Sequence, residues 1–552
     1  MSRFAGVSGV SQKHARRHPV PLPSIAVAAW ISLYCPIPET VSAQPADFHL
    51  EELSIADLQR AMDDESVTSR RLVELYLERI QRLDRDGPCL NSIIETNPEA
   101  LSTAEEMDRE RRGRGPRGPL HGIPILLKDN IDTADRMLTT AGSLALADSR
   151  PARDAFLVSR LRAAGAVIIG KTNLSEWANF RSTKSSSGWS GRGGQTRCPY
   201  ALDRNPSGSS SGSAVAVASN LAAVAVGTET DGSIVSPASV CGIVGLKPTV
   251  GRVSRAGVIP IAHSQDTAGP MTRCVADAAL LLGAMAGADP ADPATSAASS
   301  HAQLDYARFL DKDGLRGARV GVVRSDAFHL SGKVTPILDS AVEAMKRAGA
   351  VVVDNVEIAN LGKATDDAEF EVLLYEFKAD LERYLATRPG AAATTLAGLI
   401  AFDREHAGRE MPFFGQEIFE QAAEKGPLAE PAYIEALGKS QRLMREGIDA
   451  AIAKHRLDAL VAITNGPAHL TDLVNGDAYT GGSSSPAAVA GYPSITVPAG
   501  FVHGLPVGVS FFGKAWSEPA LIRLAYAFEQ ATRARRMPGF RPTAELADHG
   551  CR

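Results

Sequence analysis

Cysteine is scarce in this sequence, with 6 residues in 552. None of them forms a CxxC motif or a Cys/His cluster with the spacing of a zinc site. If the first cysteine is removed with an N-terminal leader, an odd number remains, so the pattern indicates no disulfide framework. We therefore expect free thiols, mostly buried, and neither a structural metal nor a bound cofactor. The cysteines are Cys35, Cys89, Cys198, Cys241, Cys274 and Cys551.

Long basic runs and long apolar runs are also missing from the body of the chain. The formal net charge is -5 and the isoelectric point is near 6.2, which argues against nucleic acid as the main partner. No segment after the N-terminus is long and apolar enough to predict a membrane span, so we expect no stable membrane association. Hydrophobic residues make up 44% and charged residues 22%, a composition typical of folded globular proteins. The expected partner is a small-molecule or peptide substrate.

The first residues have a composition unlike the rest of the chain. Basic residues at Arg3, Lys13, Arg16 and Arg17 precede an apolar stretch over residues 25–35, and small residues follow before position 44. This order is typical of a secretory signal peptide. We expect residues 1–43 to form that peptide, with cleavage after Ala43 and a periplasmic or secreted mature protein. The alternatives are a leader without structure and a misassigned start.

Hydrophobic spacing predicts helices first and an α/β region after them. Ser54 and Asp57 predict a capping box at the start of a helix, and apolar residues at helical spacing follow over 72–83. From residue 121 onward, short apolar runs alternate with helical patterns, which predicts an α/β fold.

We expect one domain over residues 44–552, without a separable second domain. The boundaries follow changes in composition and periodicity. Its predicted parts are N-terminal helices at 50–115, a core at 116–285, a helical insertion at about 360–447, and C-terminal strands and helices at 455–540.

Residues 165–172 read G-A-V-I-I-G-K-T and match the P-loop pattern letter for letter. In a P-loop the residues between the glycines wrap a phosphate, whereas residues 166–169 are apolar and mostly β-branched. Such residues favour a strand. We therefore expect no nucleotide site here.

Residues 208–212 read G-S-S-S-G, which matches the nucleophile elbow of α/β-hydrolases with Ser210 at its centre. An elbow follows a hydrophobic strand, but residues 200–206 are polar and turn-like. His469 and His503 are the candidate bases for this alternative, and neither lies in an obvious strand-end position. We therefore keep the α/β-hydrolase as an alternative.

Three segments together carry a more specific signal. They read G-I-P-I-L-L-K-D-N around Lys128, N-P-S-G-S-S-S-G-S around Ser209 and G-T-E-T-D-G-S-I-V-S-P-A around Ser233. With C-G-I-V-G-L-K-P-T at 241–249, they resemble the amidase signature family, and the resemblance is dense over residues 121–273. The family implies an α/β fold whose core is a mixed, largely parallel sheet flanked by helices on both sides.

The resemblance assigns three catalytic residues: Ser233 as the nucleophile, Ser209 as the bridging hydroxyl and Lys128 as the base. A serine hydroxyl is a weak nucleophile and needs a neighbouring base. Lysine is a base only when neutral, and a pKa of about 10.4 leaves about one in two thousand neutral at pH 7. Lys128 follows the apolar run 123–127, so burial would lower its pKa in the required direction. We expect Asp129 to point elsewhere and to organise the loops.

The same resemblance places an oxyanion hole at the backbone N–H groups of Thr230, Asp231 and Gly232, directly before the nucleophile. It also implies a cis peptide bond between Gly208 and Ser209. Preorganised donors of this kind are typically worth about 3 kcal/mol each in the reaction barrier.

Within the family, these segments are most similar to those of peptide amidases, which release ammonia from the C-terminal amides of peptides. The alternatives are an amidase for fatty-acid, aryl or general aliphatic amides, a protein like the amidase component of glutamyl-tRNA amidotransferase, and a binding protein that has kept the fold. Many relatives carry an arginine two residues after the nucleophile, where malonamidase-like members bind a substrate carboxylate, but this chain has Val235. We therefore expect neutral peptide amides to be preferred over half-amides of dicarboxylic acids, unless Arg181 supplies the charge.

Overall fold

The structure is a computed structural model that describes residues 48–301 and 305–546. The predicted signal peptide lies outside the described residues. Within them, one mixed sheet of eleven strands dominates, and β4 and β5 form a separate two-stranded sheet. In chain order the strands are β1 (Ile93–Thr96), β2 (Pro124–Lys128), β3 (Val167–Thr172), β4 (Trp189–Ser190), β5 (Gly194–Gln195), β6 (Val224–Glu229), β7 (Val244–Lys247), β8 (Thr267–Thr272), β9 (Arg319–Val322), β10 (Val351–Val353), β11 (Ala459–Ile463), β12 (Ser494–Val502) and β13 (Leu505–Phe512).

Parallel pairing occurs in two blocks of the large sheet. β3, β2 and β6 form one block, and β11, β9 and β10 form the other. Antiparallel pairs connect the blocks in the order β6-β8-β7-β12-β13-β11, and β1 pairs antiparallel with β3 at one edge. The mixed sheet, with helices packed against it, confirms the predicted fold class.

The central strands of the sheet are buried on both faces, because helices pack against the sheet. All side chains of β2, β3, β6 and β11 are buried, so these strands read as largely apolar runs rather than as alternations. The helices are α1 (Ile55–Asp63), α2 (Ser69–Arg79), α3 (Ala100–Arg114), α4 (Phe156–Ala163), α5 (Ser211–Ala218), α6 (Val235–Val240), α7 (Val275–Met285), α8 (Thr335–Arg347), α9 (Lys363–Leu385), α10 (Leu396–Glu405), α11 (Ala407–Glu410), α12 (Glu417–Ala423), α13 (Pro431–His455), α14 (Ser485–Ala490) and α15 (Glu518–Thr532). Within the described ranges, none of them is long and apolar enough to cross a membrane.

Local sequence signals set several helix ends. Ser54 and Asp57 exchange side-chain and backbone hydrogen bonds at the start of α1, which completes the predicted capping box. α4 ends at Ala163, and Gly165 follows with a φ of +82°. A left-handed backbone suits glycine, and it turns the chain directly into β3.

The helices α9 to α13 lie between β10 and β11, in the part of the chain where a helical insertion is predicted. The last of them continues to His455, beyond the predicted end at 447. Phe419 packs against Trp177 and Phe377, with ring centroids 5.8 and 5.2 Å apart. These helices therefore share a hydrophobic core with the loop around Trp177.

Three strands bring titratable residues to one edge of the sheet. β2 ends at Lys128, β6 ends at Glu229, and Asp266 directly precedes β8. β2 and β6 are parallel, whereas β8 is antiparallel to β6 with Thr267 opposite Glu229. The ends of β2 and β6 therefore lie beside the start of β8, and this edge holds the candidate site.

Candidate active site

Lys128 is completely buried at the end of β2. Its Nζ lies 2.8 Å from Ser209 Oγ, 2.8 Å from Thr228 Oγ1 and 3.3 Å from Thr228 O. Asn130 Nδ2 donates a hydrogen bond to the same threonine hydroxyl at 2.9 Å. The lysine therefore has only uncharged oxygen atoms as hydrogen-bond partners among the described residues.

Burial lowers the pKa of Lys128 to about 7, because desolvation disfavours the ammonium. The negative charges of Asp266 and Glu229 oppose this shift, since they stabilise the protonated amine. Neutral and protonated lysine are then comparably populated near pH 7. The burial predicted from the apolar run 123–127 is confirmed.

Asp129 makes its contacts away from Lys128, as expected. Its Oδ2 accepts a hydrogen bond from Thr140 Oγ1 and lies 3.3 Å from Arg192 Nη1. Its carbonyl accepts hydrogen bonds from Thr140 N at 3.0 Å and Ala141 N at 2.9 Å. The aspartate therefore organises the neighbouring loop.

Ser209 follows a cis peptide bond from Gly208, as the family resemblance implied. Ser209 is completely buried, and its carbonyl accepts a hydrogen bond from Ser175 N at 3.1 Å. Glycine is required at position 208 because a Cβ there would lie 2.2 Å from Ser175 Oγ. This close packing holds the Ser209 hydroxyl at hydrogen-bond distance from Lys128.

Ser233 lies in the turn between β6 and α6 and is 8% exposed. Its carbonyl accepts a hydrogen bond from Ser210 N at 3.1 Å, which joins this turn to the Ser209 loop. Within the described part of the chain, the hydroxyls of Ser209 and Ser233 are not hydrogen-bonded to each other. The structure thus brings Lys128, Ser209 and Ser233 to one place and leaves Ser233 as the solvent-accessible member.

The turn before Ser233 carries backbone donors that are free to bind a ligand. The N–H groups of Thr230, Asp231, Gly232 and Ser233 have no acceptor among the described residues. Gly232 has a φ of +77°, and a Cβ there would lie 3.0 Å from Ser484 Oγ. The oxyanion hole predicted at Thr230, Asp231 and Gly232 therefore has available donors, and its role stays a prediction.

The P-loop match and the elbow match have structural roles. The P-loop match is β3, where the buried Lys171 donates hydrogen bonds at 2.7 Å to Ile131 O and to Thr139 Oγ1. Ser210, the centre of the elbow match, donates through Oγ to Thr228 O at 3.0 Å.

Among the described residues, neither of the two histidines considered for the elbow forms a hydrogen bond with the Ser210 hydroxyl, whose partner is Thr228. His469 Nε2 lies 3.4 Å from Asp477 Oδ1. His503 follows β12 with a φ of +49°. The elbow therefore lacks a base among these two candidates.

Arg181 is completely buried and is not available to a substrate. Its Nη1 lies 2.7 Å from Glu176 Oε1 and 3.9 Å from Glu410 Oε2, and its guanidinium lies 4.5 Å from the ring of Phe414. Asp403, also fully buried, adds a third carboxyl group to this cluster. The alternative in which Arg181 binds a substrate carboxylate is therefore wrong.

One group of described side chains has the geometry of a metal site. His263, Glu376 and Asp380 offer ligand atoms within 4.8 Å of one another. His263 Nδ1 lies 2.7 Å from Asp380 Oδ2, and Nε2 lies 3.4 Å from Glu376 Oε1. The hydrogen bond to Asp380 raises the pKa of His263, which favours the protonated imidazole beside the two carboxylates. These contacts attach the loop at His263 to α9.

Comparison with known proteins places the chain in a family. The Amidase family model matches residues 71–522. A protein named as a probable amidase of Arabidopsis thaliana is 46% identical over 501 residues, which covers 89% of this chain and 92% of that protein. The native peptide amidase from Stenotrophomonas maltophilia, solved by X-ray crystallography, is 56% identical with a TM-score of 0.85, covering 90% of this chain and 100% of that one.

A more distant relative is a glutamyl-tRNA(Gln) amidotransferase component of Synechococcus sp. (strain WH7803). It is 34% identical over 503 residues, covering 87% of this chain and 97% of that protein. Together with the fold, these relatives define a hydrolase that acts on amides. The chain belongs to the amidase signature family and is structurally close to peptide amidase.

Sequence reasoning missed three residues that surround the site. Thr228 contacts the lysine directly, and Glu229 and Asp266 are buried carboxylates that act on its charge. A weak signal was present, because Thr228 and Glu229 directly precede the turn at Thr230. Nothing local connects Asp266 with that turn.

Proposed function

We propose that the protein hydrolyses the C-terminal amides of peptides and releases ammonia through an acyl-enzyme on Ser233. The observation that supports this proposal most directly is the buried contact of 2.8 Å between Lys128 Nζ and Ser209 Oγ. A lysine with a pKa of about 7 can accept a proton from a serine hydroxyl near neutral pH. Ser233 is the neighbouring serine that a substrate can reach.

Counting hydrogen bonds gives the direction of proton transfer. A neutral amine has two N–H groups and one lone pair. The two N–H groups of Lys128 can donate to Oγ1 and O of Thr228, at 2.8 and 3.3 Å. The lone pair then accepts the proton of Ser209, whose oxygen in turn accepts the proton of Ser233 as that residue attacks the substrate. Hydrogen bonds of this kind often shorten only when substrate binds.

The reaction then follows in two balanced halves. Ser233 Oγ bonds to the carbonyl carbon, its proton moves through Ser209 to Lys128, and the free N–H groups of the preceding turn bind the oxyanion. The same proton returns to the leaving nitrogen as the carbon–nitrogen bond breaks, which releases ammonia. Water enters, gives a proton to the relay and attacks the acyl-enzyme, and the carboxylic acid leaves as Ser233 regains its proton.

The expectation of an uncharged group beside the scissile amide has structural support. Val235 is 1% exposed in the first turn of α6 and offers no cation. Arg181 is paired with Glu176 inside the protein. A substrate carboxylate beside the scissile amide would therefore lose water without gaining a charged partner from either residue. The similarity to peptide amidase supports peptide amides as the substrate class.

The test is a comparison of ammonia release across amide classes. Purified single chain is incubated with a capped dipeptide amide, a fatty-acid amide, an aryl amide and glutamine, and ammonia is measured for wild type and Ser233→Ala. We expect the dipeptide amide to have the highest kcat/KM and Ser233→Ala to release no ammonia above background. Higher kcat/KM on another amide would reassign the specificity, and activity only with partner subunits would favour the amidotransferase alternative. Full activity of Ser233→Ala would overturn the mechanism.

We further propose that residues 1–43 direct export of the protein. The basic residues and the apolar stretch near the N-terminus support this. Expression of the full chain in a bacterium, followed by N-terminal sequencing of the periplasmic and secreted fractions, should give a mature protein that begins at Gln44. Recovery of uncleaved chain only in the cytoplasm would contradict it.

A further inference from the structure

Two buried carboxylates lie on either side of the turn that carries the nucleophile. Glu229 ends β6 and is 2% exposed, and Asp266 precedes β8 and is 8% exposed. Because Glu229 pairs with Thr267 across the antiparallel strands, the two acids leave the sheet at the same edge. We call them the carboxylate pair.

Glu229 fixes the C-terminal side of this turn. Its Oε2 accepts hydrogen bonds from Ile234 N at 2.8 Å and from Val235 N at 3.0 Å. These are the two N–H groups that directly follow Ser233, and they would otherwise be unpaired at the start of α6. Hydrogen bonds from backbone N–H to a buried carboxylate are among the stronger ones in proteins.

Asp266 fixes the N-terminal side of the turn. Its Oδ1 accepts a hydrogen bond from Thr230 Oγ1 at 2.6 Å. Its Oδ2 accepts hydrogen bonds from Ile261 N at 2.8 Å and Ala262 N at 3.0 Å, so the carboxylate is itself held by a neighbouring loop. Thr230 is therefore attached to a rigid partner through its side chain, while its backbone N–H stays free.

We propose that Glu229 and Asp266 are positioning residues that hold the turn from Thr230 to Ser233 with its backbone N–H groups free for the oxyanion. This inference rests on the proposed function, because it requires Ser233 to be the nucleophile. Neither carboxylate binds the backbone N–H groups of residues 230–233. Asp266 binds the side-chain hydroxyl of Thr230, and Glu229 binds the N–H groups of Ile234 and Val235. The arrangement restrains the turn without occupying the donors that the reaction needs.

The carboxylate pair also affects the pKa of Lys128. Asp266 and Glu229 are the charged groups that raise the pKa of Lys128 against the effect of burial. Burial raises the pKa of Glu229 and raises that of Asp266 to about 6, while the charges of Lys247 on Glu229 and of Arg255 on Asp266 oppose these shifts. Neutralising one acid while keeping its hydrogen bonds should therefore lower the pKa of Lys128 and shift the acid limb of the pH profile downward. A residue with only a structural role would not move that limb.

The experiment separates positioning from charge with two sets of variants. Thr230→Val removes the hydroxyl that Asp266 holds, and Thr230→Ser restores it. Asp266→Asn keeps the contacts, since its amide oxygen can accept from the backbone and its NH₂ can donate to Thr230, but it removes the charge. Asp277→Asn is the matched control, because Asp277 is also a buried acid, 1% exposed, whose carboxylate accepts a hydrogen bond from Ile55 N.

For each variant, kcat, KM and the pH dependence of kcat/KM are measured on an amide that wild type hydrolyses. We expect Thr230→Val to lower kcat about 10- to 100-fold with little change in KM, and Thr230→Ser to recover most of it. We expect Asp266→Asn, and not Asp277→Asn, to shift the acid limb to lower pH.

An unshifted limb in Asp266→Asn, or wild-type kcat in Thr230→Val, overturns the inference. If Thr230→Val does not fold, the pH position of the acid limb in Asp266→Asn alone tests the inference. The two proposals fail separately. Activity of Ser233→Ala overturns the proposed function, whereas wild-type kcat in Thr230→Val or an unshifted acid limb in Asp266→Asn, with Ser233→Ala inactive, overturns only the positioning role.

Discussion

Lys128 Nζ and Ser209 Oγ lie 2.8 Å apart in a place that no solvent reaches. The two residues are separated by 81 positions in the chain and meet because β2 ends beside the Ser209 loop. A buried amine with only neutral hydrogen-bond partners is costly to keep protonated. The contact is therefore best explained as a base and its proton donor.

The first prediction concerns the separate roles of the lysine and the two serines. Lys128→Met and Ser209→Ala should each lower kcat/KM by at least about 10³-fold, because both remove the proton path from Ser233. Lys128→Arg should be equally inactive, since a guanidinium does not give up its proton in proteins. Ser210→Ala is the control, and it should keep most of the activity because its hydroxyl bonds only to Thr228. Steady-state kinetics and circular dichroism check activity and folding; an inactive Ser210→Ala with an active Ser209→Ala would support the elbow instead.

The second prediction is an acid limb in the pH profile near pH 7. Burial lowers the pKa of Lys128 to about 7, and the neutral form is the base, so activity should rise as pH increases through that value. At pH values more than about one unit below the midpoint, kcat/KM should fall about tenfold for each further unit of decrease in pH. Measurement of kcat/KM from pH 5 to 10 in buffers of constant ionic strength checks this. A midpoint near the ordinary lysine pKa would show that Lys128 is not desolvated as described.

The third prediction concerns the charge of the substrate. A capped dipeptide amide should have a kcat/KM at least about tenfold higher than malonamate, because an unpaired carboxylate beside the scissile bond costs at least about 1–3 kcal/mol. Malonamate methyl ester is the control, since it has a similar size without the charge, and it should be the better substrate of the two. Equal or better hydrolysis of malonamate would show that another cation serves the site.

The fourth prediction concerns metal ions. Activity should survive dialysis against a chelator and should not respond to nucleotides, because the P-loop match is a strand and the proposed chemistry uses only serine and lysine. His263→Ala is a useful companion, since it removes the imidazole from the His263, Glu376 and Asp380 group. It should alter thermal stability more than kcat. Loss of activity in chelator, restored by zinc, would contradict the prediction.

Local sequence patterns predict much of the site. The apolar run before Lys128 predicts a buried strand, and β2 confirms it together with the burial of the lysine. The capping box at Ser54 and the glycine after α4 act within a few residues, so they too could be read directly. The family resemblance added the cis bond before Ser209, which no local rule would give.

The parts that could not be predicted depend on pairing between distant segments. Thr228 reaches Lys128 because β6 lies beside β2, although the residues are 100 positions apart. Asp266 reaches Thr230 because β8 pairs with β6. The burial of Arg181 depends on Glu410, 229 positions away in the helical region. Sequence spacing shows which side chains are unusual, but strand order decides which of them meet.

In the carboxyl cluster around Arg181, the pH dependence of folding stability is opposite to the pH dependence expected for catalysis. Burial, and next the charge of Glu410, raise the pKa of Asp403 to about 7, against an ordinary value of about 3.9. Between these values the folded protein binds more protons than the unfolded chain, so this group makes folding stability decline as pH rises and level off above 7. Lys128 requires the opposite change, because it becomes a base only above the same pH. The rise in pH that populates the neutral form of Lys128 therefore also ionises Asp403, which lowers the contribution of this one carboxyl group to the free energy of unfolding.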